Sequence, residues 1–243
     1  MKRSGCWILW LMFFMAFPLS PSSPSFSMEA ETKKEPPLDL FEHFEKAPSA
    51  NIENIARGVY QIGKVRVDQV AGTVIVTGIM NAPTWMDIEF LAVAEQGKDH
   101  ESLLIVEAEP FHINLACILL GLTGRVPVSL WIEWKTEAGP LKRVPAEAMI
   151  WDREKNSPMK RSWVYTGSRF DDEGRFLSQL SRSVVATYPD PDALIDHRLK
   201  GGGEFHRYGL NEKALPPQGT PVSLIIERVP PEKGKEGKRG KRP

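Results

Sequence analysis

The sequence is poor in cysteine, with two in 243 residues. Cys6 lies in an N-terminal apolar run, so Cys117 is the single cysteine that remains if this run is removed. One cysteine excludes an intramolecular disulfide and the cysteine sets that hold iron–sulfur clusters or structural zinc. No phosphate-binding loop and no haem attachment motif occurs either. The sequence therefore assigns no cofactor.

Net charge is also absent, because 31 basic residues balance 31 acidic ones. This balance points to no particular partner, and specific nucleic-acid binding is not expected. The exception is residues 230–243, where six basic residues stand against two acidic ones. We expect this tail to be disordered. An envelope protein or a polyanion is the kind of partner that its charge fits.

The N-terminus has the pattern of a cleavable secretory signal. Lys2 and Arg3 precede an apolar run over residues 6–19. This run is shorter than the roughly 20 residues that a membrane-spanning helix needs, so no span should remain after cleavage. Ser25 and Ser27 have the spacing that signal peptidases read, which predicts cleavage after Ser27. We therefore expect an exported protein of the periplasm, cell envelope or extracellular space.

Four regions follow from composition. Residues 1–27 form the signal peptide, and residues 28–57 are a polar, proline-containing linker. Residues 58–229 are long enough for a single globular domain with its own core. Residues 230–243 are the basic tail.

Alternating β-branched and polar residues predict a sheet-rich domain. Turn residues at 69–72 and 95–99 favour hairpins. The apolar run at 111–122 follows Pro110 and stops at glycines, which predicts a buried helix that contains Cys117. Helical turns are predicted at 145–150 and 191–196. The predicted fold class is α+β, a mostly antiparallel sheet with one buried central helix and short peripheral helical turns. The predicted strands cover residues 64–68, 73–80, 88–94, 102–107, 128–135, 163–168, 184–188 and 222–229.

Several runs carry a family resemblance. They are GKDHESLL at 97–104, PFH at 110–112, WVYTGS at 163–168 and ATYPDPDALID at 186–196. Together they resemble the YdjY-type domain, a family of exported bacterial proteins of unknown function, over about residues 59–195. The resemblance implies export and approximate domain limits. It implies no role for any residue.

Three residues could supply chemistry if the fold brings them together. His100 and Glu101 stand at the start of a predicted strand, and His112 lies in the first turn of the predicted helix. Converging, they would suit a metal site or an acid–base site. Alternatively, His100 and Glu101 stabilise a hairpin and His112 packs at the helix start. Ser168 ends a strand as some nucleophilic serines do, but its surroundings lack the second glycine of a nucleophile elbow.

Two functions remain open at this point. The first is a non-catalytic exported binding or assembly module, favoured because no recognisable catalytic set is present. The second is a small hydrolase or metal-dependent enzyme using His100, Glu101 and His112. Geometry distinguishes them, because an enzyme needs these side chains within a few Å of one another.

The signal-peptide prediction has a direct test. The exported protein should begin at or next to Met28, because the apolar run is too short to anchor it and the small residues before Met28 fit a cleavage site. N-terminal sequencing of secreted protein measures this. An intact Met1 on exported protein would contradict it.

Overall fold

The computed structural model describes residues 50–81, 87–198 and 206–230. Within these ranges the chain forms fifteen strands and two α-helices. The predicted signal peptide, residues 28–49 of the predicted linker and residues 231–243 of the predicted tail lie outside the described residues. The first strand falls at the end of the predicted linker, so the sheet begins before residue 58.

The elements are short and joined by tight turns. The strands are β1 (Ile52–Ala56), β2 (Val59–Ile62), β3 (Val65–Asp68), β4 (Thr73–Met80), β5 (Phe90–Ala94), β6 (Ser102–Val106), β7 (Val126–Lys135), β8 (Leu141–Pro145), β9 (Ile150–Asp152), β10 (Ser157–Pro158), β11 (Trp163–Tyr165), β12 (Ser183–Ala186), β13 (Ile195–His197), β14 (Tyr208–Leu210) and β15 (Pro221–Arg228). The α-helices are α1 (Pro110–Leu119) and α2 (Leu177–Ser181).

Eight of the strands close into a barrel. Their order is β4, β15, β7, β11, β13, β12, β5 and β6, and β6 pairs with β4 to complete the ring. The predicted α+β fold class with a central helix is therefore wrong, because the protein is mostly β. Alternation along a sequence identifies strands but not their partners, so ring closure leaves no local signal.

Two long strands make the closure possible because each divides one edge between two partners. The first half of β4 pairs with β3 and its second half with β6, while its other edge pairs with β15. In β7 the first two residues pair with β11 and the second half with β8. The strands β1 to β3 and β8 thus extend the sheet beyond the ring. A separate sheet has the order β10, β9, β14.

The hairpin predicted at residues 95–99 is also wrong. β5 and β6 are adjacent but parallel, with Phe90 opposite Ser102. The chain after β5 turns back along the strand and enters β6 at the same end of the ring at which β5 began. Gly97 makes this return possible, because an added Cβ would lie 2.9 Å from the carbonyl oxygen of Ala94.

The helix predicted at 111–122 is found as α1, but it lies beside the barrel strands rather than at the centre of the fold. It packs against β2, β3 and β4. Cys117 is buried, as predicted. Asn114 accepts a hydrogen bond from the Tyr165 hydroxyl of β11 at 2.6 Å, so α1 also joins strands from another part of the ring.

The two predicted helical turns have different outcomes. The turn predicted at 145–150 is a 3₁₀ helix, Ala146–Met149. The turn predicted at 191–196 is wrong, because the chain makes a short turn there and then enters β13. Asp190 Oδ1 accepts a hydrogen bond from the amide of Asp192 at 2.9 Å, which stabilises the turn without starting a helix.

Because the ring closes beside Gly78, a side chain at this position should lower the free energy of unfolding. This residue lies where β6 meets β4, and an added Cβ would lie 2.9 Å from Val106 Cα. Gly78→Ala should therefore lower the free energy of unfolding by about 1–3 kcal/mol, as overpacking does. Urea denaturation measures the change. Thr77→Ala, at the exposed neighbouring position, is the control. It loses a long hydrogen bond from Thr77 Oγ1 to Glu107 Oε2, 3.5 Å, and some strand propensity, and should cost less than about 1 kcal/mol. Equal effects of both changes would contradict this role of Gly78.

Candidate functional site

The candidate site lies on the outer face of the barrel, where β11 runs between β7 and β13. Trp163 and Tyr165 of β11 are buried in the core. Alternation places Val164 on the opposite face. Val164 is paired with Pro127 of β7 and with Asp196 of β13. Asp196 therefore belongs to the outward face, although its side chain is only 2% exposed.

Three arginines from three loops line a cavity of about 280 Å³ over this face. Arg125 directly precedes β7, Arg169 lies in the loop after β11, and Arg198 directly follows β13. Gly124, with φ of +65°, turns the chain just before Arg125. We call this cavity the arginine pocket. Its polar lining consists of Arg125, Thr166, Ser168, Arg169, Asp196 and Arg198.

Two of the arginines lie within ion-pair distance of carboxylates. Arg198 Nε lies 2.6 Å from Asp196 Oδ1, and Arg169 Nη2 lies 3.6 Å from Asp192 Oδ1. Burial raises the pKa of Asp196, and the charges of Arg198 and Arg125 act in the opposite direction. Arg125 is exposed and has no carboxylate partner within the described ranges. Three arginines stand against Asp192, Asp196 and the neighbouring Asp190, whose charge also acts on Asp196. The exposed Arg125 is therefore the lining cation that is left to contact an anion.

The hydroxyl groups of the arginine pocket hold its loops together. Ser168 Oγ donates to the carbonyl oxygen of Asp192 at 2.8 Å and accepts from the amide of Ser178 at 3.1 Å. Thr166 Oγ1 donates to the carbonyl oxygen of Ala193 at 2.9 Å. Among the described residues, no histidine lines the pocket as a general base. The candidate nucleophile Ser168 thus has its proton bound to a carbonyl and fixes the loop.

His100 and Glu101 lie elsewhere, in a 3₁₀ helix (Asp99–Glu101) before β6. His100 Nε2 is 3.3 Å from Glu101 Oε1, and the His100 side chain is 60% exposed. Glu89 is the neighbour of Glu101, since its amide donates to the Glu101 carbonyl oxygen at 3.1 Å. Burial and the negative charge of Glu101 raise the pKa of Glu89. The structure thus pairs Glu101 with a second carboxyl group rather than with His112.

His112 lies in the first turn of α1 and is buried. It packs against Gly63, where an added Cβ would lie 2.5 Å from His112 Nδ1. His100 precedes β6 and His112 follows its other end, and five strand residues span about 16 Å. The structure therefore does not bring the two histidines together. Throughout the described ranges, no group of three or more His, Cys, Asp or Glu side chains could hold a metal ion.

The cysteine within the described residues is inaccessible. Cys117 is fully buried, and burial raises the pKa of its thiol far above the ordinary value. A thiol that stays protonated is neither a good nucleophile nor a metal ligand. Cys117 therefore belongs to the core.

Sequence reasoning missed the arginine pocket. Its arginines are separated by 44 and 29 residues, the differences between positions 125, 169 and 198. Such spacing matches no motif. A weak signal was present in Ser168 and Asp196, since both close runs on which the family resemblance depends.

Comparison of the chain with protein-family models, with curated proteins and with solved structures found no match. Among the described residues, no helix combines the length and the apolar character needed to cross a membrane.

The raised pKa of Glu89, which lies beside Glu101, predicts that the stability of the fold depends on pH. The folded pKa of Glu89 lies above its ordinary value of 4.5, so the native state binds this proton more tightly than the unfolded state. The ionised carboxylate therefore lowers stability at pH 7, and this cost disappears once the pH falls below about 4.5.

Glu89→Gln should accordingly raise the free energy of unfolding at pH 7 and have little effect at pH 4. Urea denaturation at the two pH values measures the difference. Glu137→Gln, in the exposed turn between β7 and β8, is the matched control. The same effect of Glu89→Gln at both pH values would contradict the raised pKa of Glu89.

Proposed function

We propose that this protein is an exported, non-catalytic binding module that holds a small anionic ligand in the arginine pocket. One observation carries the proposal: three arginines from separate loops line one cavity of about 280 Å³. Export is supported by the signal-peptide pattern, and the resemblance to YdjY-type domains agrees with it. Neither indicates a reaction.

The chemistry of arginine supports an anionic ligand. A guanidinium group is always charged and presents several N–H donors that match the oxygens of a carboxylate or a phosphate. The buried Asp196 orients Arg198, and Asp192 lies beside Arg169. Arg125 is exposed and, among the described residues, forms no close ion pair, although its charge acts on Asp196. The pocket is thus partly organised before a ligand arrives, which lowers the entropy cost of binding.

The alternative, a small hydrolase or metal-dependent enzyme, has less support. Its proposed residues His100 and His112 flank opposite ends of β6. His100 and Glu101 form a local pair at 3.3 Å. The Ser168 hydroxyl is occupied by backbone hydrogen bonds. A binding function needs none of these groups to act together.

Inorganic phosphate is a simple probe of the arginine pocket. It should raise the melting temperature of the wild type, because a ligand of the native state adds stability, about 1.4 kcal/mol at ten times Kd. Arg125→Ala should remove most of this shift, since Arg125 is the exposed lining arginine that forms no close ion pair with a described carboxylate. Differential scanning calorimetry at constant ionic strength measures the shift.

The matched control is Arg66→Ala, which removes an exposed arginine of β3. This variant should keep the full shift with phosphate. Two results would count against the proposal: no shift in the wild type, or the same loss of shift in Arg66→Ala and Arg125→Ala.

A further inference from the structure

The arginine pocket also has an apolar lining. Pro189 and Pro191 border the cavity, and both rings are exposed. They lie in the segment between β12 and β13, on either side of Asp190. The hydrogen bond from the Asp192 amide to Asp190 Oδ1, 2.9 Å, fixes the turn of this segment. The two rings are therefore presented to the cavity by an ordered segment.

The size of the cavity limits what fills it. A tetrahedral inorganic oxyanion has five heavy atoms and is about as large as two or three waters, each of which takes about 30 Å³. Such an ion would leave more than half of a cavity of about 280 Å³ to water. Pockets for small organic ligands begin at about 300 Å³. The cavity is close to this lower limit, so it has room for a small organic molecule and not only for a bare ion.

We propose that the ligand is a small organic acid whose carboxylate or phosphate head contacts the arginines and whose ring or short apolar body contacts Pro189 and Pro191. This inference rests on the proposed function and adds the class of ligand. The head group contacts Arg125 first, because the other two guanidinium groups are already paired. The body contributes through the apolar surface that it removes from water.

The gain in affinity from the apolar body of the ligand can be estimated. Tenfold tighter binding corresponds to about 1.4 kcal/mol. At about 25 cal/mol per Å² this requires burial of roughly 60 Å² of apolar surface, which is less than half of an aromatic ring with its edges. This area includes the apolar surface that the ligand itself buries against the two proline rings. A gain of at least tenfold is therefore the expected result.

Isothermal titration calorimetry on the exported full-length protein tests the inference with two matched pairs of probes. Phenyl phosphate is compared with inorganic phosphate, and benzoate with acetate. In at least one pair the ring compound should bind at least tenfold more tightly than its small counterpart. The pair that shows the gain identifies the head group.

Two variants locate the contacts. Arg125→Ala should weaken every probe that binds, because all of them carry the anionic head. Pro191→Ala should weaken the ring compound at least threefold and leave its small counterpart unchanged, since only the body contacts the proline. An unchanged melting temperature of Pro191→Ala without ligand shows that the segment has kept its fold, and Pro189→Ala replaces it if the temperature falls.

The outcomes separate the two proposals. Suppose that inorganic phosphate binds as tightly as phenyl phosphate and acetate as tightly as benzoate, and that binding of all four probes needs Arg125. The class of ligand is then wrong, and the proposed function stands. If none of the four probes binds, both are wrong. If the ring compounds bind more tightly but equally well to Pro191→Ala and Pro189→Ala, the assigned apolar contact is wrong.

Discussion

The fold depends on the way in which β4 divides one edge between β3 and β6. The pairing of β6 with the second half of β4 closes the ring, and Gly78 leaves the room that this contact needs. Without it, the same strands would form an open sheet with two free edges. Closure also gives β7, β11 and β13 a single outward face. Asp196 of β13 lies on that face and lines the arginine pocket together with residues of the adjoining loops.

The core and the pocket are joined through three consecutive residues at the end of β13. His197 is buried, its ring centroid lies 5.1 Å from that of Trp163, and its Nε2 donates to the carbonyl oxygen of Lys160 at 2.7 Å. Its neighbours Asp196 and Arg198 face outward and pair with each other. Burying a charge such as that of Asp196 is unfavourable unless a partner balances it. Here the buried carboxylate of Asp196 orients Arg198, so this unfavourable burial contributes to the geometry of the arginine pocket.

The sequence predicted the elements better than their arrangement. The bounds of β4 are those predicted from alternation, and β7 and β15 begin within two residues of their predicted starts. Ring closure and the parallel pairing of β5 with β6 connect distant residues and could not be predicted locally. The site shows the same limit. His100 and Glu101 are adjacent in sequence and do pair, whereas Arg125, Arg169 and Arg198 meet only in the folded chain.

The central claim is that Arg125, Arg169 and Arg198 form one anion site. The most direct test is nitrogen-15 NMR of the arginine Nε–Hε groups during titration with phenyl phosphate, each signal being assigned by its loss in an Arg→Lys variant. If the three arginines form one site, their signals shift together and report one Kd, while the signal of Arg66 stays in place. Shifts of equal size at Arg66, or no shift at the three arginines, would contradict the claim.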